Sequence, residues 1–157
     1  MTPHDDHPGV YVPPPLIYLG IFLLAMLCQS LLPINDAFFH RRAAGLIGFC
    51  FIVFSVVPAA AAIRQFVKSR NTLITVKPAH SLQTTGIYSV TRNPMYLSLL
   101  GLYTGCAFLW GSWWTLLWLP VLILLMTRFV IQREERYLKR AFGNSYTAYK
   151  QQVRRWI

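Results

Sequence analysis

The acidic side chains that could do chemistry are few in this 157-residue chain, and two of them are adjacent. Asp5, Asp6 and Asp36 lie in the first quarter of the sequence, and the other two acids are Glu134 and Glu135. Neighbours on a helix point about 100° apart, so one glutamate can face a helix bundle while the other faces outward. We expect Glu134 to bind a cationic group of a ligand. The alternative for the pair is a solvated salt bridge with Arg128, Arg133 or Lys139.

A second polar cluster, Thr75 to Tyr96, combines turn-forming residues with aromatic ones. Asn93-Pro94 predicts a helix whose first residue is Pro94, which places Arg92 and Asn93 at its positively polarised end. Such an end attracts an anionic group, although a plain helix cap beside a topology-setting arginine is the alternative. Arg128 either extends toward water or binds an anion.

The elements that position these residues are predicted from the composition, which is that of a membrane protein. Hydrophobic residues make up 55% of the chain and charged residues 13%, and the mean hydropathy is +0.42. Four apolar runs are each about long enough to cross a bilayer, for which about 17–25 residues are needed. These runs are Leu16–Leu32, Ala43–Ile63, Met95–Gly111 and Trp113–Ile131. The sequence predicts an all-α polytopic transmembrane helix bundle with about four spans.

The predicted organisation is an N-terminal arm (1–15), two spans (16–63) and a catalytic region (64–157). The catalytic region divides into a loop (64–94), a helical hairpin (95–131) and C-terminal amphipathic helices (132–157), with a helix stop at Gly143. The arm is expected to be poorly ordered and to end at Pro13-Pro14-Pro15. Three single cysteines within apolar runs predict no metal site.

The basic residues, which give a net charge of +10, predict orientation rather than nucleic-acid binding. Twelve Lys or Arg residues lie in 64–94 and 132–157, against two in 33–42. The positive-inside rule therefore predicts that the loop and the tail face the cytoplasm.

The polar residues resemble the membrane methyltransferase family that includes isoprenylcysteine carboxyl methyltransferases and phospholipid N-methyltransferases. The resemblance covers about residues 70–157. It rests on Gly86-Ile-Tyr-Ser-Val-Thr-Arg-Asn-Pro-Met-Tyr96, then Glu134-Glu135-Arg-Tyr-Leu138, Phe142-Gly143-Asn-Ser-Tyr146 and Tyr149. It implies S-adenosylmethionine as cofactor, held at the cytosolic membrane surface, and a lipid-like or prenylated acceptor that enters from the bilayer. The implied cofactor contacts are Thr75, His80, Ser81, Leu82, Gln83, Tyr88, Asn93, Pro94, Met95, Tyr96 and Glu134.

The resemblance also implies roles in catalysis. Arg92 or Arg128 would hold the anionic end of the acceptor, and Glu135 would be the base if the acceptor is an amine. The carboxyl methyltransferases typically have histidine where this chain has Asn93, so the chemical nature of the acceptor stays open. Phospholipid amines and small hydrophobic molecules are alternatives.

Two other classes of function remain. One is a nicotinamide-dependent membrane reductase of related architecture, although the chain has no second phosphate-binding arginine cluster in a pocket-like loop. The other is a non-catalytic membrane adaptor that docks through its basic tail. The oligomeric state is unknown, and Gly48, Gly101 and Gly105 are suited to helix packing within or between chains.

Overall fold

A computed structural model describes residues 9–68 and 81–157, and all regular secondary structure in these two ranges is helical. The main helices are α1 (Pro14–Leu31), α2 (Arg42–Lys68), α3 (Pro94–Trp110), α4 (Trp113–Leu117), α5 (Leu119–Leu125) and α6 (Gln132–Gln152). A short 3-10 helix, Gly86–Ser89, precedes α3, and a π-helical segment, Met126–Ile131, joins α5 to α6. The predicted all-α architecture is confirmed.

Three helical stretches are long and apolar enough to cross a membrane. They are α1, α2 and the continuous run Trp113–Gln152, and the shorter apolar helix α3 adds a fourth. The run from Trp113 to Ile131 is apolar except for Thr115, Thr127 and Arg128. Charged residues become frequent from Arg133, just after α6 begins at Gln132. The expectation of about four spans is confirmed.

Close backbone contact joins α2 to α3. The residues of α2 that are buried are small (Ala44, Gly48, Ser55 and Ala62), whereas large side chains such as Phe54 are exposed. A Cβ added to Gly105 would lie 2.8 Å from the carbonyl oxygen of Gly48, so the two backbones touch there. The Ser98 hydroxyl also donates a hydrogen bond of 2.6 Å to the Ser55 carbonyl. Small residues and an interhelical hydrogen bond hold membrane helices together where the hydrophobic effect cannot.

The N-terminal arm is packed against the bundle from Gly9 onward, so the prediction of a poorly ordered arm is wrong for residues 9–13. Val10 is only 2% exposed and belongs to the main hydrophobic core. The guanidinium of Arg133 donates a hydrogen bond of 2.8 Å to the Gly9 carbonyl and lies over the Tyr11 ring. Residues that precede α1 therefore contact residues that follow the apolar run ending at Ile131, which fits an even number of spans because both then lie on the same side.

Two element boundaries differ from the sequence prediction, and one agrees with it. Helix α1 begins at Pro14 because proline fits the first helical turn, whereas the sequence prediction began the span at Leu16. Helix α2 continues to Lys68, so residues 64–68 of the predicted loop are helical. Gly143, with φ 53° and ψ −122°, breaks α6 at the predicted helix stop.

Candidate functional site

Glu134 lies just beyond the last apolar stretch, in the first turn of α6, and Tyr96 reaches it from the first turn of α3. The Tyr96 hydroxyl donates a hydrogen bond of 2.6 Å to Oε1 of Glu134. Burial raises the pKa of Glu134 to about 7; the Tyr96 hydrogen bond opposes this rise and the charge of Glu135 adds to it. This carboxylate is therefore held ready for a cationic partner, which would stabilise its ionised form.

Tyr96 is itself fixed by α1. The hydroxyl of Tyr18 donates a hydrogen bond of 3.2 Å to the Tyr96 carbonyl, and both tyrosines belong to the buried core with Met126 and Ile131. Three helices thus define the position of the Glu134 carboxylate. Both residues were predicted cofactor contacts, and the structure brings them into direct contact.

Glu135 points away from Glu134 and binds two arginines. Its Oε1 accepts a hydrogen bond from Arg92 at 2.9 Å, and Arg155 donates to both of its oxygens at 2.9 and 2.8 Å. Burial favours the protonated form of Glu135, but the Arg155 hydrogen bond and the charges of Arg92, Arg155 and Lys150 outweigh it, and the pKa is lowered. A carboxylate that is ionised and fully engaged is a poor base.

Arg92 is enclosed by these partners. Its side chain is 9% exposed, and besides Glu135 it donates to the Tyr146 hydroxyl at 3.3 Å. Its Nε is buried and has no hydrogen-bond acceptor in the described residues. Arg92 was expected to hold the anion of an acceptor, yet in this structure Glu135 already neutralises its charge.

The segment after α6 returns to the start of α3, a feature that sequence analysis missed. The Arg154 carbonyl accepts a hydrogen bond from the Arg92 amide at 3.1 Å. The Arg155 carbonyl accepts bonds from the Asn93 side chain at 2.9 Å and from Thr91 at 3.3 Å. Every residue has a backbone carbonyl, so the sequence contains no signal that predicts these hydrogen bonds. The Asn93 amide is consequently used, in part, to hold the C-terminal segment.

The polar residues before Gly86 are anchored by α2. The side chain of Gln65 donates to Gln83 at 3.1 Å and to Thr85 at 3.0 Å, and Gln83 donates to Ser81 at 2.8 Å. Leu82 packs against the buried cluster formed by Tyr146, Tyr149 and Val153. Thr75 and His80, which were predicted cofactor contacts, lie outside the described residues.

The 3-10 helix places Tyr88 between α2 and α6. Its ring contacts Phe66 edge-on, with centroids 5.8 Å apart, and its carbonyl accepts a hydrogen bond of 2.7 Å from Tyr149. Burial raises the pKa of Tyr88, and the charges of Tyr149 and Glu134 raise it further. Tyr88 is therefore a neutral, buried residue that lies close enough to Glu134 for the Glu134 charge to affect its pKa.

The start of α3 completes this cluster. Pro94 is buried and occupies the first turn, as predicted, and Met95 and Tyr96 follow it. The N-terminal end of a helix is positively polarised, so the start of α3 can attract the carboxylate of a ligand. A ligand can thus place a cationic group at Glu134 and an anionic group beside it, at the N-terminal end of α3.

Arg128 lies outside this cluster. It is exposed in the π-helical segment and lines an open groove of about 690 Å³, together with Phe129, Arg133, Arg136 and, at one wall, the Glu135–Arg155 pair. The structure therefore brings Arg92 and Glu135 into direct contact, whereas Arg128 shares only a groove wall with Glu135. The described residues contain no group of three or more potential His, Cys, Asp or Glu metal ligands.

Comparisons with known proteins bear on the same region. A family model described as phospholipid methyltransferase matches residues 40–145. An uncharacterized protein of Haemophilus influenzae is 46% identical over 65 residues, which make up 40% of this chain and 100% of that relative. No solved structure matches the chain significantly.

Proposed function

Because the chain belongs to the phospholipid methyltransferase family, we propose that it transfers a methyl group from S-adenosylmethionine to a lipid-like acceptor. The observation that carries this proposal is the Glu134 carboxylate, which is held by Tyr96 beside the first turn of α3. The amino acid part of S-adenosylmethionine has an ammonium group and a carboxylate. Glu134 complements the ammonium group, and the start of α3 complements the carboxylate. The residues present therefore fit the cofactor that the family implies.

Each nearby residue then has a defined task. Glu134 pairs with the α-ammonium group, and the positively polarised start of α3 attracts the carboxylate. Tyr88, Met95 and Leu82 supply apolar and aromatic surface around them. Asn93 ties this end of α3 to the C-terminal segment through the Arg155 carbonyl. When bound, the cofactor supplies an electrophilic methyl group on its sulfonium.

The Glu135 ion pairs favour one kind of acceptor. We expected Glu135 to act as a base for an amine, but its contacts with Arg92 and Arg155 and its lowered pKa suit a positioning role. An acceptor that is already nucleophilic, such as a carboxylate on a prenylated residue, needs orientation and exclusion of water rather than a base. We therefore propose such an acceptor first and a phospholipid amine second.

The location of the site also belongs to this proposal. Arg64 and Lys68 at the end of α2 lie at the same end of the bundle as the basic helix α6, and the opposite loop holds only Arg41 and Arg42. This charge bias supports an active site on the cytoplasmic face.

Calorimetry with S-adenosylhomocysteine, the demethylated product, tests the cofactor. We expect saturable binding to the purified protein in detergent, and its loss in Glu134→Ala. Glu134→Gln is the size-matched variant, because it keeps the shape and removes the charge. NADPH is the control ligand, since saturable binding of NADPH in place of S-adenosylhomocysteine would support a reductase.

Incubation with methyl-labelled S-adenosylmethionine and membrane extract tests the acceptor. Label is expected in a lipid-soluble product, and its lability in mild alkali separates a methyl ester from an N-methyl amine. A protein that neither binds S-adenosylhomocysteine nor labels any product would be an adaptor, which contradicts the proposal.

A further inference from the structure

The groove beside Arg128 carries a concentration of positive charge that the proposed methyl transfer does not use. It lies where the apolar run ends and α6 begins, and its volume is about 690 Å³. Its wall residues include one carboxylate, Glu135. The arginines that line it are Arg128, Arg133, Arg136 and Arg155.

Three of these arginines have no acidic partner. Within residues 9–68 and 81–157, no carboxylate lies within salt-bridge distance of Arg128, Arg133 or Arg136. Arg133 contacts the Gly9 carbonyl and the Tyr11 ring, and Arg136 contacts the Gln132 carbonyl, all of which are neutral groups. The groove therefore keeps a surplus of positive charge.

The single acid of the groove does not offset this surplus. Both oxygens of Glu135 accept hydrogen bonds from Arg155, and one also accepts from Arg92. Four guanidinium groups against one carboxylate leave the lining with a formal charge of +3. A ligand for this groove has to be anionic and rich in hydrogen-bond acceptors, and the planar donor array of arginine suits phosphate oxygens best.

The surroundings of the groove indicate a lipid as the source of the phosphate. Phe129, which is 54% exposed, lies in the π-helical segment next to Arg128 and lines the same groove. An exposed aromatic ring beside arginines, at the point where apolar sequence becomes charged, suits the boundary between acyl chains and headgroups. Free phosphate in water would gain nothing from Phe129.

We propose that this groove binds the phosphate of an anionic phospholipid headgroup, with Arg128 and Arg136 as its principal ligands. The site is distinct from the proposed cofactor site because Glu134 and Glu135 point in different directions and only Glu135 lines the groove. It does not depend on the proposed function, since neither cofactor nor methyl acceptor is needed for the lipid to bind.

Native mass spectrometry of the purified protein tests this site. The protein is titrated in detergent with phosphatidylglycerol or with phosphatidylcholine of the same acyl chains. We expect one phosphatidylglycerol to be retained at least tenfold more strongly than phosphatidylcholine. The double variant Arg128→Gln/Arg136→Gln should lose this preference, while its melting temperature confirms that it is folded.

A matched pair on the same helix controls for simple charge attraction. Lys139 and Arg140 are exposed residues of α6 that do not line the groove. The variant Lys139→Gln/Arg140→Gln removes the same charge and should retain phosphatidylglycerol within about twofold of the unchanged protein. Equal losses in the two double variants would overturn the proposal, because they would show diffuse attraction to anionic lipid. Displacement of the lipid by millimolar inorganic phosphate would overturn the lipid assignment.

Discussion

The hydroxyl of Tyr96 lies 2.6 Å from Oε1 of Glu134 and ties the start of α3 to the start of α6. Tyr96→Phe removes only this hydroxyl. Hydrogen bonds to charged groups contribute about 1.5–3 kcal/mol, so we expect S-adenosylhomocysteine to bind about tenfold more weakly or worse. Calorimetry at pH 8 measures the change.

Tyr103→Phe is the matched control for that substitution. The Tyr103 hydroxyl is also buried in α3 and donates to the Thr115 carbonyl at 2.9 Å, far from Glu134 in sequence. Its loss should lower the melting temperature without changing affinity. Equal affinity losses in the two variants would mean that any loosening of α3 disturbs binding, which contradicts a specific role for Tyr96.

The raised pKa of Glu134 gives a pH-dependent stability with an unusual sign. Between about 4.5 and 7 the unfolded chain has released this proton while the folded protein retains it. Stability of the ligand-free protein is therefore lost as pH rises through this window and is constant above it. Glutamine does not titrate. From pH 5 to pH 7 the melting temperature of Glu134→Gln should therefore rise relative to that of the unchanged protein. A difference that stays the same across this range would contradict the assignment.

The Glu135 ion pairs predict an asymmetric response to substitution. Glu135→Gln leaves Arg92, which is 9% exposed, as a buried charge without an acid. Such losses cost about 3–5 kcal/mol, and we expect a large fall in the melting temperature. Arg155→Gln should cost less, because Arg155 is 30% exposed and Glu135 keeps its contact with Arg92.

A double-substitution cycle isolates this interaction. If Arg155 acts through Glu135, the double variant should be no less stable than Glu135→Gln alone. Arg154→Gln is the control, since Arg154 is exposed and its hydrogen bond with the Arg92 amide uses the backbone carbonyl. Strictly additive losses would show that the two residues stabilise the protein independently.

Packing between α2 and α3 predicts that Gly105 cannot be enlarged. A Cβ at this position would approach Cγ1 of Ile52 to 2.5 Å and the Gly48 carbonyl oxygen to 2.8 Å. Gly105→Ala should destabilise the protein by about 1–3 kcal/mol, as overpacking does. Gly20→Ala in α1 is the control, because a Cβ there meets nothing within 4 Å. Melting temperatures in detergent that fall equally for both would contradict the close contact.

Local signals in the sequence predicted the elements well. Pro94 marks the start of α3, and Gly143 breaks α6 because its positive φ suits glycine. The divergence of Glu134 and Glu135 also follows from helix geometry alone. These features depend on a few neighbouring residues, so a single sequence contains them.

Contacts between distant segments could not be predicted in the same way. The bidentate pairing of Arg155 with Glu135 requires the chain to leave α6 and turn back. The sequence suggested Arg128, Arg133 or Lys139 instead, because these residues are nearer along the chain, and that prediction is wrong. The burial of Val10 likewise depends on the shape of a core built from α1, α3 and the π-helical segment. Partner choice of this kind is set by packing in three dimensions.

The contact between Gly9 and Arg133 spans 124 residues and has a consequence for biosynthesis. Chains emerge from the ribosome with the N-terminal end first. Gly9 therefore cannot contact Arg133 until the start of α6 has been synthesised. Asn93 cannot bind the Arg155 carbonyl until still later. A chain truncated before Arg155 would therefore insert its early spans and still lack the contact that ties the start of α3 to the segment after α6.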